Sequence, residues 1–279
     1  MNRQLILIAG LTLFAGGLYA AFAQDYFPQD DYRPQRRSRY TRGIPADRNG
    51  VPDWELKERF EKDVFTFVRV QYDSRSYRSK WRTDFPDADL NLSYRLQQMT
   101  SLKVDPEGKI VRLTDPELFE YPFIYIIEPG AMYLSEEEVL ALREYLNRGG
   151  FLMIDDFWGE REWANLEREM KRVLPNRSWR ELPLEHEIFH IVYDLKEKPI
   201  IPSIHVYYNG WRTERADAQE AHYRAYEDDD GRVMVFVCHN TDLGDGWERE
   251  GVDRGYFEAY SEKFAYPLGI NIVTYAMTH

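Results

Sequence analysis

The clearest hydrophobic pattern lies in the middle of the chain and predicts two buried strands joined by a helix. Phe123 to Ile127 is a continuous apolar run, rich in β-branched and aromatic residues, as a strand buried on both faces requires. Val139, Leu142 and Leu146 then recur at spacings of three and four, which predicts a helix with one apolar face. The second strand is predicted at Phe151 to Ile154. A strand, a helix and a strand at this spacing form a βαβ unit, so the two strands should be parallel neighbours.

Polar residues mark the ends of these elements. Ser135 and Glu138 have the spacing of a capping box at the start of the helix. Gly149 is expected to end the helix, because glycine adopts left-handed dihedral angles without a Cβ clash. Asp155 and Asp156 follow the second strand, at the edge where open α/β sheets bind their ligands.

The flanking segments predict further elements. Towards the N-terminus we expect a short helix over residues 54–62, a strand over 64–70, a helix from Asp87 to about Thr100, and a short strand pair at 104 and 110–113. Towards the C-terminus we expect a helix over 160–174, short strands at 179–182, 188–193 and 204–208, a hairpin of strands 221–226 and 232–238, and a final helix beginning at Pro267.

The start of the chain has the features of a secretory signal peptide. Arg3 precedes an apolar run over residues 5–18, and Ala21-Phe22-Ala23 is a small-x-small cleavage site. The alternative is an uncleaved membrane anchor, but the run is shorter than the ~20 residues that span a bilayer. We therefore predict cleavage near Ala23, a periplasmic or secreted protein, and no transmembrane span after cleavage.

Composition divides the rest of the chain into an arm and one domain. Residues 24–42 are rich in Pro and Arg and lack a hydrophobic period, which predicts a disordered arm. Residues 43–279 are expected to fold as a single α/β domain, and they carry a net charge of −15 once the positive charges of the first 42 residues are set aside. Such an acidic domain excludes nucleic acid as a partner. Cys238 is the only cysteine, so the domain must be stabilised by its core and not by internal disulfides.

Several ordered motifs carry a resemblance to a known family. WRTDFPDADLNL, LTDPELFEYPFIYIIEPG, LSEEEVLALREYLNRGGFLMIDD, LPLEHEIFH, DLGDGWE and LGINIVTYAMTH resemble the family called domain of unknown function 4159, over residues 65–279. The resemblance implies a class I glutamine amidotransferase-like fold. This is a flavodoxin-like three-layer sandwich with a mainly parallel sheet, with extra β elements here in the C-terminal half. It implies no activity, and it suggests membrane-associated envelope proteins as partners.

The same resemblance implies that the amidotransferase site is degenerate. In that superfamily a nucleophilic cysteine follows a central strand and pairs with a histidine beyond a later strand. Asp155 and Asp156 stand at the comparable strand end, whereas Cys238 lies inside another apolar run, so the thiolate chemistry is missing. His239 resembles the family histidine in its placement.

Acidic residues follow several predicted strands, and we expect them to meet at one edge of the sheet. Their repulsion would be relieved by protonation of one carboxyl group or by a divalent cation, and no other cofactor is predicted. Trp81 and Trp158 are expected to wall this cleft. The alternative is that the acids only cap helices and keep loops soluble. The predicted cleft contains Asp73, Asp84, Glu128, Asp155, Asp156, His239, Asp242, Asp245, Trp247 and Glu248.

His186 and His190 form a formal H-E-x-x-H motif, which on a helix binds zinc. The residues between and after them are strand formers, and no third ligand is evident. We therefore favour a turn capped by His186 over a zinc protease.

The sequence is compatible with two functions. The first is a non-catalytic ligand- or partner-binding module of the cell envelope, and the second is a metal-dependent or His/Asp hydrolase of an envelope substrate. For either function, Asp156→Ala and His239→Ala are expected to abolish binding with little change in melting temperature.

Overall fold

The apolar runs of the chain form the centre of a seven-stranded sheet. The computed structural model describes residues 44–56, 64–76 and 79–279. The strands of the large sheet are β1 (Val68–Val70), β3 (Lys109–Val111), β4 (Phe123–Ile127), β6 (Phe151–Phe157), β7 (Arg180–Glu181), β8 (His222–Glu227) and β9 (Val233–His239). Two short strands, β2 (Asp73–Ser74) and β5 (Met132–Tyr133), pair with each other outside it.

The strand order is β3-β1-β4-β6-β9-β8-β7. The first five strands in this order are parallel, and β8 and β7 are added antiparallel at one side. The chain therefore moves from β1 to one neighbour, β3, and then to the other, β4. This reversal is a topological switch point, where doubly wound sheets open a crevice at their carboxyl ends. The sheet is compatible with a three-layer sandwich, and its flavodoxin-like identity stays a prediction.

The central βαβ unit is confirmed. Each residue of β4 from Phe123 to Ile127 pairs in parallel with the corresponding residue from Phe151 to Asp155. The capping box is present, with the Glu138 amide donating to Ser135 Oγ at 3.2 Å and the Ser135 amide to Glu138 Oε2 at 2.8 Å. Gly149 follows the helix with φ +101°.

Helices cover both faces of the sheet. Phe67 and Tyr125 on one face pack against Trp247, which lies in the short helix Leu243–Glu248. The helices Glu136–Asn147 and Gly159–Val173 contribute to the core on the other face, together with the apolar side chains of the strands. The helices are α1 (Asp87–Met99), α2 (Glu136–Asn147), α3 (Gly159–Val173), α4 (Ile204–Tyr208), α5 (Leu243–Glu248), α6 (Arg254–Tyr256) and α7 (Tyr266–Thr278), with a π-helix at Phe257–Ala265 and 3-10 turns at Arg48–Gly50, Lys80–Arg82, Pro116–Glu120, Pro129–Ala131 and Glu187–Phe189.

Two of the strand predictions for the C-terminal half are wrong. Residues 188–193 contain part of the 3-10 turn Glu187–Phe189, and residues 204–208 form α4. A short apolar run does not by itself distinguish a strand from a buried helical turn. Here the amide of Ile204 donates to Asp245 Oδ2 at 2.5 Å, so a side chain and not a neighbouring strand satisfies the start of α4.

The strand pair predicted at 104 and 110–113 is also wrong. Val104 forms a parallel bridge with Phe65, and β3 pairs in parallel with β1. Both segments therefore pair with residues between 65 and 70, and they do not pair with each other. Asp87 is the first residue of α1, and Pro86 occupies the N-cap position before it.

Some predictions lie beyond the described residues. The signal peptide over 1–23 and the arm over 24–42 are outside them, as is most of the helix predicted at 54–62, whose first three residues are not helical. In the part of the chain that the structure describes, no helix has both the length and the apolar character needed to cross a membrane.

A buried ion pair joins β1 to α1. Arg69 is fully buried, and its Nε donates to Asp89 Oδ2 at 2.9 Å. Its Nη1 donates to the carbonyl groups of Trp81 at 3.1 Å and Thr83 at 2.9 Å. One guanidinium group therefore fixes both the first helix and the loop that leads to Asp84.

We expect Asp89→Ala to lower the free energy of unfolding by about 3–5 kcal/mol, because it leaves a buried guanidinium group without its partner. The matched control is Glu117→Ala, which removes an exposed pair with Lys109 at 2.9 Å and should cost about 0–1 kcal/mol. Denaturant titration of both variants measures the difference, and equal costs would contradict the role of Arg69 as an anchor.

Candidate functional site

The carboxyl ends of the parallel strands bring three predicted acids together. Asp156 lies near the end of β6, Asp242 follows β9, and Asp84 enters from the loop after β1. One carboxylate oxygen of each lies within 4.8 Å of the other two. We call Asp84, Asp156 and Asp242 the acid triad.

The backbone around this edge is unusual. Of six described residues other than glycine with positive φ, four lie here: Asp84 (61°), Glu128 (47°), Asp156 (53°) and Asn240 (61°). Left-handed dihedral angles are uncommon outside glycine, although Asp and Asn adopt them more readily than most residues. Such angles cost about 1–3 kcal/mol each and cluster at functional sites.

The acid triad is electrostatically unfavourable when all three groups are ionised. Burial raises the pKa of Asp84, and the nearby Glu248 and Asp245 raise it further. Burial also raises the pKa of Asp156 and of Asp242, with added repulsion from Glu128 on Asp156 and from Asp156 on Asp242. Each carboxyl group in the triad is therefore more easily protonated, or more in need of a cation, than an exposed one.

Asp155, although adjacent to Asp156, has a different role. Its carboxylate accepts hydrogen bonds from the amides of Leu243 at 3.3 Å and Gly244 at 2.8 Å, and from the Tyr125 hydroxyl at 3.1 Å. Burial raises the pKa of Asp155 to about 7, and these hydrogen bonds act in the opposite direction. Asp155 thus holds the start of α5 over the sheet edge.

Gly244 must lack a side chain at this point. A Cβ there would lie 2.6 Å from Asp84 Oδ2. The close approach of α5 to Asp84 therefore depends on glycine, and it brings Asp245 and Glu248 next to the triad.

Asp84, Asp245 and Glu248 form a second group of neighbouring carboxylates. Arg249 compensates this group, since its Nε lies 3.1 Å from Asp245 Oδ1 and its Nη2 lies 2.5 Å from Glu248 Oε2. Burial raises the pKa of Glu248 to about 7 despite the arginine. Two of these three acids therefore have a positive partner.

His239 lies in an aromatic layer, where its hydrogen bonds go to groups other than the acid triad. Its Nε2 lies 3.2 Å from the Gly159 carbonyl and its Nδ1 lies 3.1 Å from Arg224 Nη1. The ring stacks on Phe157 at 4.7 Å. Burial and then the charge of Arg224 lower the pKa of His239 to about 3, so the ring is neutral with its proton on Nε2.

A charged cavity of about 220 Å³ opens at the same edge. It combines acidic and basic side chains from segments that are far apart in sequence, and sequence reasoning missed its basic residues. Lys80 pairs with Glu128, and Arg215 pairs with Glu162. The cavity is lined by Ser76, Lys80, Glu128, Gly130, Ala131, Arg161, Glu162 and Arg215.

The cavity lies at the switch point of the sheet. Lys80 belongs to the segment after β1, and Glu128 follows β4, the two strands between which the chain reverses direction. Glu128 also accepts from the Thr83 hydroxyl at 2.7 Å, so its side chain is held at two points by the segment after β1. Doubly wound sheets bind ligands at this position.

A comparison with protein families places the chain. The model of the domain of unknown function DUF4159 matches residues 66–277. The chain belongs to the DUF4159 family. The comparison with curated proteins finds no match.

The other predicted site residues of this DUF4159 domain lie elsewhere. Asp73 is exposed in β2 and pairs with Arg112 at 3.5 Å, because β2 turns away to pair with β5. The predicted tryptophans lie inside the fold, and Trp158 Nε1 donates to Asp156 Oδ1 at 3.0 Å. Trp81, Trp158 and Trp247 are buried, and Trp247 donates to the Ala265 carbonyl at 2.9 Å.

The H-E-x-x-H segment of the DUF4159 domain is not a helix. His186 caps the 3-10 turn, as predicted, with Nδ1 accepting from the Ile188 amide at 3.2 Å. His190 Nδ1 lies 2.6 Å from Asp194, and its Nε2 lies 2.6 Å from the Leu184 carbonyl. The two rings are thus not set side by side on an α-helix face, which is the arrangement that an H-E-x-x-H zinc site needs.

The imidazole of His239 should stay neutral at pH values well below the usual pKa of histidine. The unfolded chain binds a proton near pH 6.5, whereas the folded ring binds one only near pH 3, so this residue's contribution to stability is present above pH 6.5 and is lost as the pH falls towards 3. NMR of the ring nitrogens over this range measures the pKa. Titration of His239 near pH 6.5 would contradict the buried, neutral ring.

The buried stack also changes what we expect of His239→Ala. Removing a ring packed against both Phe157 and Trp163 should lower the free energy of unfolding, measured by denaturant titration, by about 2 kcal/mol or more, not leave stability unchanged.

Proposed function

We propose that the domain is a non-catalytic binding module of the cell envelope that binds a charged group of its ligand or partner in the cavity at the switch point. The observation that carries the proposal is the position of this cavity. It lies at the carboxyl ends of β1 and β4 and is lined by Lys80, Arg161 and Arg215 together with two glutamates. The envelope location rests on the signal-like segment over residues 1–23.

The chemistry of the chain supports binding without amide transfer. Cys238 is buried within β9, and burial raises the pKa of its thiol, so the thiolate needed for amidotransfer is not formed. The cavity lining contains neither cysteine nor histidine. The residue types that amidotransfer uses as nucleophile and base are therefore absent from this lining.

The charges of the cavity support an anionic group as the part of the ligand that enters. Lys80 and Arg215 each have a carboxylate partner, but Arg161 is exposed and makes no ion pair among the described residues. Arg161 can therefore receive a carboxylate or phosphate group as a bidentate partner without first breaking an internal pair. With a volume of about 220 Å³, the cavity suits the end of a larger ligand rather than a whole one.

The form of the hydrolase alternative that uses His239 as general base has less support. His239 would need a free ring nitrogen for that role, and both of its nitrogens have partners within the fold. Its low pKa also makes it a weak base.

A photo-crosslinking amino acid in place of Ala131 should capture a partner in the cell envelope, because Ala131 lines the proposed binding cavity and its replacement leaves Arg161 in place. The matched control replaces Glu144, an exposed residue at the C-terminal end of α2, near the opposite edge of the sheet. Products at position 131 that are reduced by Arg161→Ala would support the proposal. Equal products at both positions, or none at position 131, would contradict it.

A further inference from the structure

The acid triad lacks the arginine partners that the neighbouring acidic residues have. The nearest arginines are already engaged, with Arg69 paired to Asp89, and Arg249 paired to Asp245 and Glu248. No described lysine, arginine or histidine forms an ion pair with a member of the triad. Three carboxylates with oxygens within 4.8 Å of one another therefore have no ion-pair partner among the residues described.

The triad also has oxygens without hydrogen bonds. Asp84 Oδ2 is shut off from solvent and accepts no hydrogen bond. Asp156 and Asp242 are 7% and 3% exposed, and each accepts through Oδ1, from Trp158 Nε1 at 3.0 Å and from the Asp245 amide at 2.7 Å. The second oxygen of each accepts no hydrogen bond from a described residue. A buried carboxylate oxygen without a partner carries a large desolvation cost, which a bound cation removes.

We propose that Asp84, Asp156 and Asp242 bind a hard divalent cation, Ca²⁺ or Mg²⁺. All three ligands are carboxylate oxygens, which hard cations prefer, and the triad contains no thiol or imidazole for a softer metal. Ca²⁺ holds its ligands at 2.3–2.6 Å, so oxygens on opposite sides of one ion are about 4.6–5.2 Å apart. The oxygens of the triad lie within 4.8 Å of one another, which allows one ion to contact all three.

The fold keeps these ligands in place before the ion binds. Arg69 holds the carbonyl group of Thr83, the residue before Asp84, and the Trp158 indole holds Asp156. Asp242 is fixed by the first turn of α5, which Asp155 anchors. This site goes beyond the proposed binding in the switch-point cavity, because it uses none of the residues that line that cavity.

The test uses the full chain after removal of metal by a chelator and dialysis. CaCl₂ or MgCl₂, matched to NaCl at equal ionic strength, should raise the melting temperature, and calorimetry should give one site per chain. Asp84→Asn and Asp156→Asn keep residues that tolerate positive φ while removing a charged ligand. Each should weaken cation affinity by about tenfold or more. The control, Asp229→Asn, changes an exposed acid of the β8–β9 turn and should bind as the wild type does.

A second measurement on the wild type does not depend on the variants folding. Tb³⁺ in the triad should show emission sensitised by Trp158, whose Nε1 donates to Asp156, and Ca²⁺ should displace it. Absence of both a melting shift and a calorimetric signal with either cation would overturn the proposal. The proposal would also be overturned if Asp84→Asn and Asp156→Asn left the cation affinity unchanged, or if Ca²⁺ did not reduce the Tb³⁺ emission.

Discussion

The structure depends on how it accommodates several carboxylates at one edge of a parallel sheet. Parallel strands all end at the same side, so each acidic residue that follows a strand is delivered to the same small region. Two arginines serve this region, the buried Arg69 and the partly buried Arg249, and both are occupied, Arg69 by Asp89 and Arg249 by Asp245. The remaining acids must be hydrogen-bonded, protonated or neutralised by a bound cation.

Asp155 and Asp156 show how one strand end serves two purposes. Asp155 stays in register with Ile127 and receives the amides at the start of α5. The pairing with β9 is then interrupted between Ile154 and Phe157, and Asp156 adopts a left-handed conformation. The irregularity turns the second carboxylate towards Asp84 and Asp242. The first acid thus stabilises the fold, and the second contributes to the site.

The sequence predicted the central βαβ unit well because its signals are local and agree with one another. An apolar run, a capping box at Ser135 and a terminal glycine at Gly149 lie within a few residues of the elements they define. It failed for residues 188–193 and 204–208, where apolar residues pack against the core without strand neighbours. Their conformation is decided by tertiary contacts such as that of Ile204 with Asp245.

The same division applies to the candidate site. The rule that strands end at one edge was enough to group Asp84, Asp156 and Asp242, but it also included Asp73, which β2 carries away by pairing with β5. The basic residues of the cavity had no signal, because Lys80, Arg161 and Arg215 come from a 3-10 turn, the start of α3 and a loop that are far apart in sequence. His239 was assigned to the cleft by its position after a strand, and the sequence did not show its partners in the aromatic layer.

The central claim is that the excess of buried acids at this edge belongs to a binding site and is not relieved within the protein alone. Anomalous diffraction from crystals grown with Mn²⁺, a hard cation that scatters anomalously, tests it most directly. The account predicts an anomalous peak between the carboxylates of Asp84, Asp156 and Asp242. Crystals with no peak there, in which these carboxyl groups hydrogen-bond to each other by sharing protons, would contradict it.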